Sequence, residues 1–500
     1  MPLHTRAACA VCLLAAGFAA AQPPAPQPAP DPRPVSGGAL PTPQPAVEAD
    51  PEVSYIDLAT ALRLADSVNP TIAIARERTR QAYARLQRTR VLALPNVVLS
   101  PLVYNRHDGQ FQTFTGPVIT TNTGNIASNA GLVMQFATAD AYFLPLFARQ
   151  ELTAFNQAAR AANNNIQLAV ATAYLDLLQA EGLVAINAET LANAEFMLKN
   201  AKTAIAAGKS STGADALRAG TEVEARKQER FQLLANVDVR AARLAELLLL
   251  PPAVRLRTAE KAALPINLVP PNCPVDELVV TALANRPEVG QSVAERGAVA
   301  ELYRLERNRP LLPQVGVSYY GGGFGGGQNA RIADWNARSD GTVQLFWQFE
   351  NFGAANAAKI RETRSIVTQA DYRIRAVQAQ VSREVVQALA VSNGRVAALA
   401  SAQESVREAI EMWRRLSESA FGMVGGKYDP IQPLIAEQQL NQARVAYLQT
   451  VLDYNRAQFE LYTALGQPSI EALDKAAAVP TALSTVPAGT GPVPMDPKKK

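Results

Sequence analysis

Histidine and cysteine are almost missing from this chain, and their scarcity removes whole classes of chemistry. The two histidines, His4 and His107, cannot be joined by cysteine into a zinc or copper cluster, so no metal site is expected. A Ser-His-Asp arrangement would need His107, which falls in a segment read as an external loop, so no catalytic residues and no enzyme activity are expected. No cofactor is called for. Of the three cysteines, Cys9 and Cys12 lie in a leader-like segment: Arg6, an apolar run from Ala7 to Phe18, then Ala19-Ala20-Ala21 before Gln22. Residues 1–21 therefore read as an export signal. Neither signal cysteine follows the pattern of a lipid-attachment site, and Cys273 alone cannot form an internal disulfide.

Long hydrophobic runs are also lacking. Beyond the leader, a typical candidate, Leu247 to Val254, is short and broken by Pro251 and Pro252, so no helical membrane span is expected. No charge sign dominates: 48 basic and 44 acidic residues are mixed, and the longest single-sign block is Lys498-Lys499-Lys500. Mixing of this kind belongs to solvated helix faces and argues against nucleic acid as a partner. What is present is apolar material, 48% of residues, enough for a large core.

Residues 22–50, rich in Pro and Ala, and 469–500, rich in Pro, Thr, Gly and Ala, cannot bury a core and read as disordered or low-complexity extensions. Between them the sequence repeats once, in copies spanning 51–270 and 271–468. Ala65 to Pro70 (ADSVNP) leads through Leu86-Gln87-Arg88-Thr89-Arg90 to Leu94-Pro95-Asn96-Val97. Ala282 to Pro287 (ALANRP) leads through Leu305-Glu306-Arg307-Asn308-Arg309 to Leu312-Pro313-Gln314-Val315. Pro70 and Pro287 are 217 positions apart, Pro95 and Pro313 218, Gly208 and Gly426 218, Leu217 and Leu434 217. General helical self-similarity explains apolar spacing but not prolines and glycines in register.

Each copy predicts a helix (72–94; 288–310), a strand, a polar or Gly-rich loop, a second strand, a very long helix (147–207; 354–423), a tight turn and a return helix (214–250; 431–465). The clearest strand is 342–350, where Val343, Leu345, Trp347 and Phe349 alternate with polar residues except at Phe346. Its partner lies near 314–320. First-copy strands are expected near 96–104 and 132–146, each weakened by a proline, Pro101 and Pro145. The loop Gly321 to Gly327 lacks the Lys-Ser/Thr of a phosphate loop and reads as a flexible external loop.

Lengths select the architecture. The first long helix reaches about 92 Å at 1.5 Å per residue, and the leading and return helices end to end match it. Paired rods of that length suit a tube or coiled-coil column. Four strands per chain cannot close a barrel, and open edges in lipid leave backbone groups unpaired. Three chains would supply twelve antiparallel strands. The expected fold is therefore mainly α, a long helical coiled-coil barrel continuing a twelve-stranded β-barrel shared by a homotrimer.

The doubled Asn/Arg-Pro, the Leu-Pro before a strand, the Gly-containing helical turns and the ending Ala464-Leu465-Gly466 resemble the TolC-like outer-membrane efflux family over roughly residues 55–468. The resemblance implies a trimeric exit duct in the bacterial outer membrane with its helices in the periplasm, in contact with outer-membrane lipid, a periplasmic adaptor and an inner-membrane pump. Cargo would be small molecules, or protein in a type I secretion duct. A soluble periplasmic coiled-coil scaffold is the alternative of a different class.

The resemblance also implies that the two helical turns dock the adaptor: Gly208, Lys209, Ser210, Ser211 and Leu217 in the first, Gly425, Gly426, Lys427, Tyr428 and Leu434 in the second. Glycine at a helix end and aspartate before a helix are also ordinary caps. Some family members carry aspartates in the second return helix that ring the entrance; the matching positions here are Gln432 and Ile435. Asp215 is then the first gate candidate, with Asp429, Gln432 and Asp453 behind it.

Overall fold

The computed structural model describes residues 53–112, 116–206, 213–251, 254–260, 262–270, 273–328, 333–421 and 431–467. Within them the same series of elements runs twice. The first comprises α1 (Leu58–Val68), α2 (Pro70–Arg90), β2 (Asn96–Gln112), β3 (Val118–Ala137), α3 (Thr138–Ala206) and α4 (Ala214–Leu247). The second comprises α5 (Val275–Asn285), α6 (Pro287–Asn308), β5 (Gln314–Gln328), β6 (Asn336–Phe346), α7 (Ala354–Phe421) and α8 (Ile431–Ala464). Two four-residue strands, β1 (Val53–Ile56) and β4 (Arg255–Thr258), pair in parallel beside the helices.

The doubled X-Pro marks a corner in each series. Asn69 and Arg286 both take extended backbone, with ψ of 125° and 122°, because the following proline ring disfavours helical geometry in the residue before it. The short helix ends there and the proline starts the next as a first-turn residue. Asn69 caps α2 by accepting from the Thr71 N–H (2.9 Å) and donates to the Leu247 carbonyl (2.9 Å). Arg286 lacks a capping oxygen and forms ion pairs with Glu288 (3.1 Å) and Glu384 (2.7 Å).

α3 has 69 residues and α7 has 68, so each reaches about 100 Å. α3 packs against α2, α4, α6 and α8, and α7 against α5, α6 and α8. Both long helices contain an 18-residue stretch apolar enough to cross a membrane by length and composition, although polar residues interrupt each stretch. Their apolarity comes largely from alanine, the small residue that lets helices approach along their whole length. The largest core gathers Val170, Tyr174, Leu175 and Leu177 of α3 with Leu62 of α1, Leu244 of α4 and Phe459 of α8. A second joins α5, α6, α7 and the end of α8 through Leu278, Val289, Val385 and Leu461.

The four long strands form one antiparallel sheet in the order β2-β3-β5-β6, leaving β2 and β6 as edges. Paired residues share a face. One face carries Val97, Leu132, Met134, Val317, Val343 and Leu345; the other carries Asn105, Asn125, Ser318, Thr342 and Gln344. The strands run to 17, 20, 15 and 11 residues, and three are longer than the roughly 9 to 11 residues that cross a bilayer.

Several expectations are corrected. Gly321 to Gly327 is not a loop: it lies in β5, hydrogen-bonded to β3 and, as far as Phe324, to β6. The missing side chains make room for Trp335, whose ring would lie 2.2 Å from a Cβ at Gly323. His107 is inside β2 opposite Thr123 rather than in a loop. The segment 132–146 is strand only to Ala137; from Thr138 it is helix, with Pro145 inside α3 and the Thr138 hydroxyl donating to the Pro313 carbonyl (2.7 Å). Pro101 is accommodated by a register shift between Ser100 and Val103 on an edge strand. β6 stops at Phe346, before Trp347 and Phe349.

Gly466 closes α8 in the left-handed region (φ +84°), and an added Cβ would lie 2.7 Å from the Asn285 carbonyl carbon and 2.8 Å from the Arg286 nitrogen. Gly466→Ala should therefore destabilise the protein by about 2 kcal/mol or more, read as a lowered midpoint in thermal unfolding. Gly394→Ala, in α7 with nothing within 4 Å, should be neutral or stabilising by up to about 1 kcal/mol.

Candidate functional site at the helical tips

α3 and α7 begin beside the sheet at Thr138 and Ala354, so their far ends, Ala206 and Phe421, lead to α4 and α8. Gly208, Lys209, Ser210, Ser211, Gly425, Gly426, Lys427, Tyr428 and Asp429 lie outside the described residues. Flanking residues are described. Asp215 sits partly buried in the first turn of α4, where the helix dipole favours a carboxylate. Leu217 donates its N–H to the Gly213 carbonyl (3.2 Å) and leaves its side chain 74% exposed. Gln432 is exposed at the start of α8. Leu434 differs from its counterpart Leu217: it packs against Leu191, Ala194, Met197 and Val223 of the other hairpin.

That contact begins a seam between α3 and α8 which residue-by-residue reading of the sequence did not find. Asn193 donates to both carboxylate oxygens of Glu437 (3.2 and 3.1 Å), the Thr190 hydroxyl donates to the Asn441 side-chain oxygen (3.3 Å), and Arg444 pairs with Glu189 (2.9 Å). The polar residues recur at 437, 441 and 444 on α8 and at 189, 190 and 193 on α3, a helical-face spacing that could have revealed it. Further from the tips, Arg240 of α4, Asp176 of α3, Arg456 and Asp453 of α8 and Arg395 of α7 alternate in sign across four helices, with Arg240–Asp176 at 3.2 Å and Arg395–Asp453 at 3.2 Å. Asp453 is thus paired with Arg395 and Arg456.

Glu437 is 1% exposed. Burial pushes its carboxyl up to about 7, against the Asn193 amide and the positive charges of Arg444 and Arg226, while Glu189 adds to the rise. Among the described residues no cluster of three or more His, Cys, Asp or Glu side chains could hold a metal.

No family model matches the sequence, and no curated protein matches it. Solved structures do match. The outer membrane protein VceC of Vibrio cholerae superposes with a TM-score of 0.67 at 15% identity, over 82% of this chain and 96% of that one. The Campylobacter jejuni CmeC outer membrane channel gives 0.66 at 15% identity (85% and 90%), and the open Neisseria gonorrhoeae MtrE outer membrane channel 0.64 at 17% (82% and 89%). The fold is that of these outer-membrane channels. Within it the two hairpins are the elements that the α3–α8 seam holds together.

The Glu437 shift gives the seam a definite pH dependence. A carboxyl whose pKa is higher when buried than when hydrated favours the folded seam fully at low pH, and that advantage is lost as pH rises from about 4.5 to about 7, on the order of 3 kcal/mol. Thermal melts between pH 5 and 8 should show this fall. Glu437→Gln, which keeps an oxygen for Asn193, should flatten it and raise the midpoint at pH 8; an unchanged slope would assign the dependence to other groups.

Proposed function

We propose that the protein is the outer-membrane exit duct of a tripartite efflux system, passing small molecules from an inner-membrane pump and a periplasmic adaptor to the outside. It catalyses no reaction, and energy comes from the pump. The observation that carries this reading is the four-stranded sheet itself, with an apolar band from Val97, Leu132, Met134, Val317, Val343 and Leu345 on one face near its helical end and both edges unpaired, joined to helices about 100 Å long. Val343 on the apolar face is 79% exposed. A soluble scaffold would leave that face in water, whereas a lipid-facing barrel wall requires it.

Three chains joined edge to edge, β6 to β2, give twelve strands, and their helices form the periplasmic tunnel. Support for the trimer comes from closure: every edge group in hydrocarbon must find a partner. Residues 1–21 serve as the export signal, and 51–270 and 271–468 are the copies of an internal duplication. The turns at 208–211 and 425–428, with Leu217 beside the first, meet the adaptor; Asp215, Asp429 and Gln432 narrow the entrance. The solved relatives described as outer-membrane channels support this assignment through the shared fold.

Detergent-extracted protein should insert in a planar bilayer and conduct, with Asp215→Ala changing the conductance. Failure to insert or conduct would favour the scaffold. Leu217→Glu should lower export about tenfold while leaving trimers intact, as expected for a buried contact in a partner interface. Leu434→Glu should instead disturb the α3–α8 seam and lower thermal stability, because its side chain already has a packing partner within the chain.

A further inference from the structure

α2 packs on α3, α3 on α6 and α6 on α7, so these four helices stand in a row with α2 and α7 at its ends. All four line one cavity on the concave side of the row. In the middle of the row the long helix of the first series meets the proline-started helix of the second. They approach closely because Gly290 and Gly297 carry no side chain: a Cβ there would lie 3.1 Å from Gln157 and 3.0 Å from Gln150. The ends of the row are the same two kinds of element in the other order, α7 being the long helix of the second series and α2 the proline-started helix of the first.

The duplication supplies a register for those ends. Gly290 stands three residues after Pro287 and Ala73 three after Pro70, so both pairs are 217 positions apart. For the long helices the cavity gives the match. Glu151, Ala154 and Phe155 of α3 and Ile366, Gln369 and Ala370 of α7 all turn toward it, each pair 215 positions apart. On that alignment Gln157 corresponds to Tyr372. The contact of Gln157 with Gly290 therefore has a counterpart in Tyr372 with Ala73, two residues that stand at opposite ends of the row in one chain. Both lack cover: Tyr372 is 64% exposed, Ala73 is exposed, and Ile74 beside it is 54% exposed.

Resting on the trimer of the reading above, we propose that Tyr372 of one copy packs across Ala73 and Ile74 of the next, joining α7 to α2 in the register that joins α3 to α6 within the chain. The occupant of this face is a second copy, because the chain already contains the same pairing of elements and the repeat carries it to the ends of the row. A contact between different faces of identical chains closes into a ring when the rotation allows, and three repeats of this one complete the helical wall. Alanine at 73, like glycine at 290, keeps the two backbones close. The aromatic ring in place of Gln157 adds the apolar area that association of separate chains requires.

The test uses full-length protein with Cys273→Ser, Ala73→Cys and Tyr372→Cys, purified in detergent, oxidised and run without reductant. Chains should link in a ladder that ends at a covalent trimer, since the two positions fall within disulfide reach only across the boundary between copies. A control with Tyr83→Cys in place of Ala73→Cys puts an exposed cysteine about 15 Å further along α2 and should leave monomers. Linking through Tyr83 instead of Ala73 would overturn the register. If neither pair links while light scattering gives the mass of three chains, this contact is wrong and the trimer stands. The mass of one chain would overturn both.

Discussion

Unpaired backbone groups cannot be left in hydrocarbon, and the architecture of this chain follows from how that demand is met. In water the N–H and C=O groups along the edges of β2 and β6 are solvated at little cost. In a bilayer each unsatisfied group costs several kcal/mol, so a four-stranded sheet with an apolar outward face has no stable existence there alone. In the proposed trimer, two further copies close the sheet, satisfy its edges and set the number of helices below it. The helical layer then has to match the circumference of the barrel, a constraint that falls on the strand-to-helix junctions. Thr138 bound to Pro313, and Asn356 bound to Glu350, fix the junctions after β3 and after β6.

Away from the sheet, packing and charge divide the work differently along the helices. At the middle level the apolar cores around Tyr174 and Val385, the corners at Asn69-Pro70 and Arg286-Pro287, and the alternating row from Arg240 to Arg395 tie the helices of both series together. Toward the tips the apolar contribution thins, and the two hairpins are held at the α3–α8 seam by a small leucine cluster and a few polar pairs. Buried polar pairs add little net stability but penalise misregistration heavily, since separating one partner leaves the other uncompensated. The seam is therefore specific in register and weaker than the middle level, the distribution expected where a tube must keep its wall and adjust its end.

Much of the fold was legible because its signals are local. Helix ends at Arg90, Leu247 and Ala464 fall within a few residues of the expected ones, and the doubled X-Pro corners are visible as prolines in register. Long-range determinants were not legible. Gly321 to Gly327 has the composition of a loop; its pairing with β3 and the packing of Trp335 above Gly323 are set by residues distant in sequence or on the neighbouring strand. β1 and β4 are too short to show alternation, yet they pair across two hundred residues. Leu217 and Leu434 occupy equivalent places in the sequence and opposite environments in the fold, because only the second hairpin leans on its neighbour. Glu437 looks like any solvated helix glutamate until Asn193 is brought to it.

The account stands most directly on the pairing of β6 with β2 of another copy. A protein with Cys273→Ser, a fixed cysteine at Leu99 on β2 and a second cysteine scanned along 341–346 of β6 measures this by oxidation in membranes and electrophoresis without reductant. At alternate positions of the scan the products should form a ladder that ends at a covalent trimer. A ladder ending at another number, or monomers at every position, would contradict closure of the sheet by three chains.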